Sequence, residues 1–116
     1  MALTKFERFF HKFMNRIKIK IQKDIQKGKY QEALLSLNDL IEKEPGNKIW
    51  LELRGETWYL KQDYAKALND YNKLLKTEPN NKIIRSKIEM IKYILKFQAV
   101  DIYASTNLNV DPWLDD

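Results

Sequence analysis

Apolar residues recur at intervals of three and four along most of this chain, which is the pattern of amphipathic helices. One such stripe is formed by Ala67, Leu68, Tyr71, Leu74 and Leu75. Glycines, prolines and short polar stretches separate the stripes and act as helix breakers. The pattern therefore predicts an all-α protein of five helices, at about residues 5–27, 30–43, 48–61, 64–77 and 82–103.

Residues suited to helix ends stand at several of the predicted boundaries. Thr4 and Glu7 have the spacing of a capping box at the start of the first helix. Asn47 is a good cap for the third helix. Gly28 suits the left-handed backbone that follows many helices, and Pro79 ends the fourth helix because its ring excludes a helical conformation at the preceding residue.

The segment 30–49 recurs 34 residues later. Ten of its twenty positions are identical, where composition alone predicts roughly one. The identical pairs are Tyr30/Tyr64, Ala33/Ala67, Leu34/Leu68, Asn38/Asn72, Leu40/Leu74, Glu44/Glu78, Pro45/Pro79, Asn47/Asn81, Lys48/Lys82 and Ile49/Ile83. The chain is therefore a repeat array, whose units must stack because none can bury its apolar face alone.

The period and its key residues resemble the tetratricopeptide repeat (TPR), in the form found in small bacterial proteins. Gly55, Ala67 and Pro79 match the family pattern outright, and Trp58 and Tyr71 are aromatic replacements. By this resemblance Trp58 and Tyr71 interlock between paired helices, so that truncation of either would cost about 3–5 kcal/mol. The preceding repeat, about 14–47, matches mainly in its second half.

One departure from the family pattern is Arg54, which stands in a leucine position. We expect its stem to lie along apolar surface with its charged head in water.

The resemblance implies a short right-handed solenoid of about two and a half repeats. Its domain would span 14–104, with repeats at about 14–47 and 48–81 and a final helix at 82–103; residues 1–13 would extend the first helix and 105–116 would form an acidic tail.

The implied function is a protein-interaction module, a small adaptor or scaffold that binds a protein or peptide on its concave face. The concave face would be built from the first helix of each unit and would offer Lys18, Gln22, Ile25, Gln26, Ile49, Glu52, Glu56, Tyr59, Leu60, Ile83, Ser86, Met90 and Tyr93.

Family members that grip acidic chaperone tails use a clamp of Lys, Asn, Asn, Lys and Arg. In this sequence most of the clamp is replaced, since Lys18 keeps one place and Lys87 stands for the Arg, whereas the other places hold Gln22, Leu53 and Ile83. The resemblance therefore implies no useful affinity for acidic chaperone tails.

Composition narrows the function further. The chain has no cysteine, its only histidine is His11, and its three glycines form no phosphate-binding loop. These features favour a protein that is not an enzyme and needs no metal, cofactor or small-molecule substrate. There is no stretch of eighteen apolar residues and no cleavable signal pattern, so a cytoplasmic protein is expected. Lysine outnumbers arginine 17 to 4, a usage typical of AT-rich bacterial genomes.

The net charge of +5 is unevenly distributed: residues 1–29 carry +7, whereas residues 101–116 carry −4. The basic segment also holds four phenylalanines, Phe6, Phe9, Phe10 and Phe13. Such a cluster must be covered to avoid aggregation. Three coverings remain open: an intramolecular cap by the second helix or the tail, self-association as a homodimer or scaffold, and a basic contact with a membrane surface or nucleic acid. The absence of a known nucleic-acid-binding motif disfavours nucleic acid as the partner in the last of these.

The acidic tail is predicted to be non-helical from Ser105 onward, because it is rich in polar turn formers. It contains one large aromatic residue, Trp113, followed by Leu114. We expect Trp113 to dock on apolar helical surface such as the Phe6–Phe13 cluster, either in the same molecule or in a second copy.

Overall fold

The computed structural model describes the backbone of residues 4–108 and the side chains of residues 4–99. Five helices make up this part of the chain: α1 (Lys5–Gln26), α2 (Tyr30–Lys43), α3 (Lys48–Leu60), α4 (Tyr64–Thr77) and α5 (Lys82–Leu108). Each helix packs against the next one in the chain. Because the connections are only three or four residues long, neighbouring helices are antiparallel. The predicted all-α array of helical hairpins is confirmed.

The last helix is longer than predicted. It continues to Leu108, so the expectation of non-helical chain from Ser105 was wrong for residues 105–108. Serine, threonine and asparagine cost only about 0.5 kcal/mol each in a helix, which is too little to stop one that is already propagating. The remainder of the tail, including Trp113 and Leu114, lies outside the described residues.

The repeated residues Glu44/Glu78 and Asn47/Asn81 build the same connection twice. The Asn47 side chain accepts from the backbone N–H of Ile49 at 3.0 Å, and its amide donates to Glu44 Oε2 at 2.8 Å. Asn81 and Glu78 make the same two contacts at 3.1 and 2.9 Å. The sequence repeat at these positions is therefore explained by helix capping.

The connections within the two hairpins also share one geometry. Gly28 and Gln62 occupy equivalent positions 34 residues apart, and both have a left-handed backbone, with φ of +77° and +69°. The N–H of the following residue, Lys29 or Asp63, donates at 2.8 Å to the carbonyl oxygen five residues earlier. This is the Schellman helix ending. Gly28 adopts it without steric cost, whereas Gln62 does not.

Replacing Gln62 by glycine should therefore stabilise the fold. We expect Gln62→Gly to raise the free energy of unfolding by about 0.5–1 kcal/mol, measured by urea denaturation, because the left-handed strain disappears. The matched control is Lys73→Gly, an exposed position inside α4, which should lose about 1 kcal/mol. A loss of stability in Gln62→Gly would contradict the assigned helix ending.

Two hydrophobic clusters share α3 between them. The cluster towards α1 and α2 contains Ile21, Ile25, Ala33, Leu37, Trp50 and Leu53. The cluster towards α4 and α5 contains Leu51, Ala67, Tyr71, Leu74, Ile84, Ile88 and Ile91. Because α3 is packed on both sides, its apolar residues do not form a single stripe.

The tightest helix approach in the second cluster occurs at Gly55. A Cβ atom added to Gly55 would lie 2.8 Å from Cε1 of Tyr71, whose side chain is buried. Only glycine admits this contact between α3 and α4. The glycine and tyrosine that matched the repeat pattern therefore pack directly against each other.

The core differs from expectation at two tryptophans. Trp58 was predicted to interlock between helices, but it is only half-buried, with Lys66 Nζ 4.5 Å from its ring centroid. Trp50 is instead 2% exposed and is the largest fully buried side chain in the described part of the chain. Tyr71, also 2% exposed, fills its predicted core position.

Arg54 differs from expectation more strongly. Its head does not lie free in water: its Nε and one terminal nitrogen donate to the two carboxylate oxygens of Asp70 at 2.8 and 2.7 Å. Its other terminal nitrogen donates to the side-chain oxygen of Asn38 at 3.0 Å. Asp70 is 2% exposed, and its hydrogen bond and charge raise the pKa of Arg54 further above its ordinary value. A bidentate ion pair between partly buried Arg54 and buried Asp70 thus ties α3 to α4, with a further link to α2.

Candidate interaction groove

The first helices of the successive units, α1, α3 and α5, line one face of the array, which we call the groove. Clefts join α1 to α3 and α3 to α5 along this face. Most of the residues predicted for the concave surface lie along these helices with their side chains at least partly exposed. The chief exception is Ile25, which is 5% exposed and belongs to the core.

The central cleft lies between α3 and α5. It has a volume of about 340 Å³ and is lined by Glu56, Tyr59, Leu60, Tyr71, Lys87 and Met90. Leu60 and Met90 are exposed, and the Tyr59 hydroxyl lies 3.5 Å from the Met90 sulfur. Buried Tyr71 from α4 forms the floor. The cleft is therefore an apolar depression with an acidic and a basic residue at its rim.

Charged groups around Tyr71 set the electrostatics of this cleft. The Lys87 ammonium lies 5.6 Å from the Tyr71 ring centroid and 3.6 Å from a carboxylate oxygen of Glu52. Burial, followed by the charges of Glu56 and Glu52, raises the pKa of Tyr71 well above its ordinary value. The phenol therefore remains neutral at physiological pH and contributes a polarisable, uncharged surface.

Two smaller clefts lie between α1 and α3. One, of about 160 Å³, is lined by Lys18, Gln22, Ile49, Glu52, Leu53 and Glu56. The other has a volume of about 190 Å³ and is lined by Gln22, Ile25, Gln26 and Glu56. Because Ile25 is buried, it can form only the bottom of this cleft. Glu56 borders both of these clefts and the central one. Its exposed side chain makes no ion pair within residues 4–99.

The groove continues along α5 as a second apolar stripe. Ser86, Met90 and Tyr93 line a shallow depression together with Arg85, Glu89, Ile94 and Phe97. Tyr93 and Phe97 are 61% and 66% exposed. Ile83 lies on the first turn of the same helix and is exposed, but it lines none of these clefts. A depression on the outside of α4 is lined by that helix alone and encloses nothing.

The four N-terminal phenylalanines form a separate apolar surface, which we call the Phe face: Phe6, Phe9, Phe10 and Phe13. They are 75, 68, 44 and 52% exposed, so α2 does not provide the cap that was one of the expected coverings. Phe6 and Phe10 stack with ring centroids 6.4 Å apart, as do Phe9 and Phe13.

Two other kinds of site concern the described residues: a metal-binding site and a membrane-spanning helix. Over that part of the chain, no group of three or more His, Cys, Asp or Glu side chains is placed to hold a metal ion. No helix in the same region is long and apolar enough to cross a membrane.

Sequence reasoning missed the Arg54–Asp70 pair and the roles of Arg85, Glu89 and Phe97 in the α5 stripe. A signal for the ion pair existed, because Asp70 lies within the apolar stripe of α4. An acidic residue at such a position needs a buried partner. Phe97 continues the three-and-four spacing of Met90 and Tyr93 and was identifiable in the same way.

The fold and the groove together define a helical-hairpin repeat protein of the class that stacks its units into a solenoid. The family model of the tetratricopeptide repeat matches residues 50–81, which contain α3 and α4. Residues 50–81 of the chain are therefore similar to one tetratricopeptide repeat. This family generally provides protein-interaction modules and is typically non-catalytic. Comparisons with curated proteins and with solved structures find no match.

The groove is poorly suited to the acidic tails that some tetratricopeptide proteins bind. Leu53, at a clamp position, is buried, and Glu52 and Glu56 border the clefts beside Lys18. We expect calorimetric titration with an acidic chaperone-tail peptide to show no micromolar binding, because two carboxylates would oppose the peptide charge. Micromolar binding that is lost in Lys18→Ala would contradict this expectation.

Proposed function

We propose that this protein is an adaptor that holds a peptide segment of another protein in the groove. The bound segment places an apolar side chain in the central cleft and a Lys or Arg side chain beside Glu56. The observation that carries the proposal is the position of Glu56: it borders three clefts at once, and the largest of these ends on the buried ring of Tyr71.

The central cleft supports an apolar anchor. Its volume of about 340 Å³ lies at the low end of the range of about 300–1,000 Å³ for small-molecule pockets. One or two side chains of a bound peptide would cover Leu60 and Met90, which are 42% and 54% exposed. Each large apolar side chain removed from water contributes about 1.5–3 kcal/mol.

The charges support a basic residue next to the anchor. Lys87 already has Glu52 as a partner, at 3.6 Å. Glu56 has no such partner within residues 4–99, and it stands between the central cleft and the two clefts towards α1. A Lys or Arg side chain placed there would be attracted by the unpaired Glu56 carboxylate. This attraction would contribute more to the specificity of peptide binding than to its affinity.

A peptide selection tests the proposal. Phage-displayed random peptides selected on the full chain should be enriched in a bulky apolar residue next to Lys or Arg. Selection on Glu56→Lys should shift the charged position to Asp or Glu. The matched control is Glu32→Lys on α2, which should select the same peptides as the unmodified chain.

The apolar contact is tested with the best selected peptide. Met90→Glu should weaken its binding at least tenfold in calorimetry, because the charge would lie in the central cleft. Leu35→Glu, at an exposed apolar position on α2, should leave it unchanged. Equal effects of the two substitutions, or a peptide preference that ignores Glu56→Lys, would contradict the proposal.

A further inference from the structure

The Phe face lies on a part of α1 that extends beyond its partner helix. α1 has 22 residues and α2 has 14, so about eight residues, or about 12 Å, remain unpaired. Met14 and Ile17 are the first residues of α1 packed on the cluster that includes α2. The phenylalanines continue this same stripe towards the N-terminus. The Phe face is thus a core-type surface from which the covering layer is missing.

The surroundings of the Phe face favour a polypeptide as the covering layer. The face continues the stripe of α1 that packs, through Met14 and Ile17, on the cluster containing Ala33 and Leu37 of α2. A short segment of chain that packs on this stripe would continue the layer that α2 provides further along α1.

The charge next to the Phe face favours an acidic segment. Four basic residues in this part of α1, which we call the basic row, outnumber Glu7 and give a local charge of +3: Lys5, Arg8, Lys12 and Arg16. None of these four basic side chains takes part in a salt bridge within residues 4–99. Two Phe faces packed on each other would bring like charges together, which disfavours that arrangement.

One segment of this chain has the required chemistry. Residues 109–116 read Asn-Val-Asp-Pro-Trp-Leu-Asp-Asp, and they combine three apolar side chains with three carboxylates and no base. Trp113 offers a large aromatic surface for the phenylalanines, and the aspartates offer partners for the basic row. Aromatic pairs contribute beyond the apolar area that they bury.

The direction of the helices decides whether this segment can reach the Phe face of its own molecule. α1, α3 and α5 are parallel because each neighbouring pair is antiparallel, so the Phe face lies at the end where α5 begins. The 27 residues of α5 carry the chain about 40 Å away from that end. From Leu108 to Trp113 an extended chain spans at most about 18 Å. Trp113 therefore cannot return to the Phe face of its own copy.

We propose that residues 109–116 of one copy cover the Phe face of a second copy, with Trp113 packed on the phenylalanines and the aspartates paired with the basic row. The contact is head-to-tail, so it joins copies either into a reciprocal dimer or into longer chains. Its electrostatic part makes it sensitive to salt.

The test begins with sedimentation equilibrium of the full chain at increasing protein concentration. The unmodified chain should associate, and Trp113→Ala and the double variant Phe6→Ser/Phe9→Ser should each weaken association at least tenfold. Leu35→Ser is the control for loss of exposed apolar surface and should associate as the unmodified chain does. Circular dichroism should show unchanged helix content in every variant, because all of these phenylalanines and Leu35 are exposed.

A mixing experiment then distinguishes the head-to-tail contact from other forms of association. Trp113→Ala retains an intact Phe face, and Phe6→Ser/Phe9→Ser retains an intact tail. Each variant alone should associate at least tenfold more weakly than the unmodified chain, but an equimolar mixture of the two should form a one-to-one complex. A labelled peptide of residues 107–116 should bind full-chain Trp113→Ala and lose at least tenfold in affinity at 0.5 M salt.

Three results would overturn the proposal. The first is an unmodified chain that remains monomeric at all concentrations. The second is association that depends on the phenylalanines but is indifferent to Trp113→Ala, which would mean that Phe faces meet each other. The third is a Phe6→Ser/Phe9→Ser variant that associates as the unmodified chain does but no longer co-sediments with phosphatidylserine vesicles. That result would assign the Phe face to a membrane surface.

Discussion

Trp50→Ala should be the most destabilising single truncation of the core, with a loss of about 3–5 kcal/mol in the free energy of unfolding. Trp50 is 2% exposed and joins α3 to Ile21, Ile25 and Leu37 of the two preceding helices. Its removal would leave a cavity that helices fixed on both sides cannot close. Because small domains are stable by only about 5–15 kcal/mol, we expect Trp50→Ala to be largely unfolded at 37 °C.

The matched control is Trp58→Ala, measured by the same urea titration. Trp58 is half-buried, with lysine side chains over its ring, so its truncation should cost about 1–2 kcal/mol. Trp50→Phe should also be milder, because the Trp50 indole N–H is buried without a hydrogen-bond partner in the described part of the chain. A larger loss in Trp58→Ala than in Trp50→Ala would show that the register of α3 is wrong.

Removing one partner of the Arg54–Asp70 pair should have the second large effect. Arg54→Leu leaves the Asp70 carboxylate buried without its bidentate donor, and we expect a loss of about 3 kcal/mol. Asp70→Ala should lower the free energy of unfolding by a similar amount, because it leaves the Arg54 guanidinium without its carboxylate partner. Both values are measured from urea denaturation at neutral pH.

The double variant Arg54→Leu/Asp70→Ala should recover most of this loss. Removing both charges eliminates the desolvation cost, and leucine is the residue that the repeat pattern prefers at position 54. The expected coupling energy from the double-mutant cycle is at least about 2 kcal/mol. Additive losses in the double variant would show that Arg54 and Asp70 act independently. Lys43→Leu/Asp39→Ala, at an exposed pair, serves as a control with almost no coupling.

The helical array could be predicted from sequence because the signals are local and repeated. A period of 34 residues, together with Glu44, Pro45 and Asn47 and their copies, marks the connection between units, and its hydrogen bonds involve residues only three positions apart. The end of α1 was also predictable, because Gly28 is a residue type that favours the left-handed backbone found there. Gln62 gives no such signal, because glutamine does not favour the left-handed backbone that it adopts.

The parts that sequence failed to predict depend on contacts between distant residues. Trp50 and Trp58 have similar local surroundings in sequence, and only the packing of α3 against two cores makes Trp50 the buried one. Arg54 and Asp70 are 16 residues apart, and their pairing requires the angle between α3 and α4. The end of α5 was placed too early because weak helix formers were treated as helix breakers.

The groove was predicted by resemblance to the family, and the structure places most of its predicted residues along the three helices that line it. The family pattern assigned Ile25 to the concave face. In the structure Ile25 is buried, because it lies on the stripe of α1 that packs against α2. The contributions of Tyr71 and Lys87 to one cleft depend on three different helices. No local pattern contains that information. The partner-binding role of these residues stays a prediction.

The central claim is that a protein partner binds in the groove, and amide chemical-shift mapping tests it most directly. A peptide from the phage selection would be titrated into the isotope-labelled full chain. The account predicts that the largest shifts lie at Glu56, Tyr59 and Leu60 of α3 and at Lys87 and Met90 of α5. Shifts confined to the Phe face, or to the outer surfaces of α2 and α4, would contradict it.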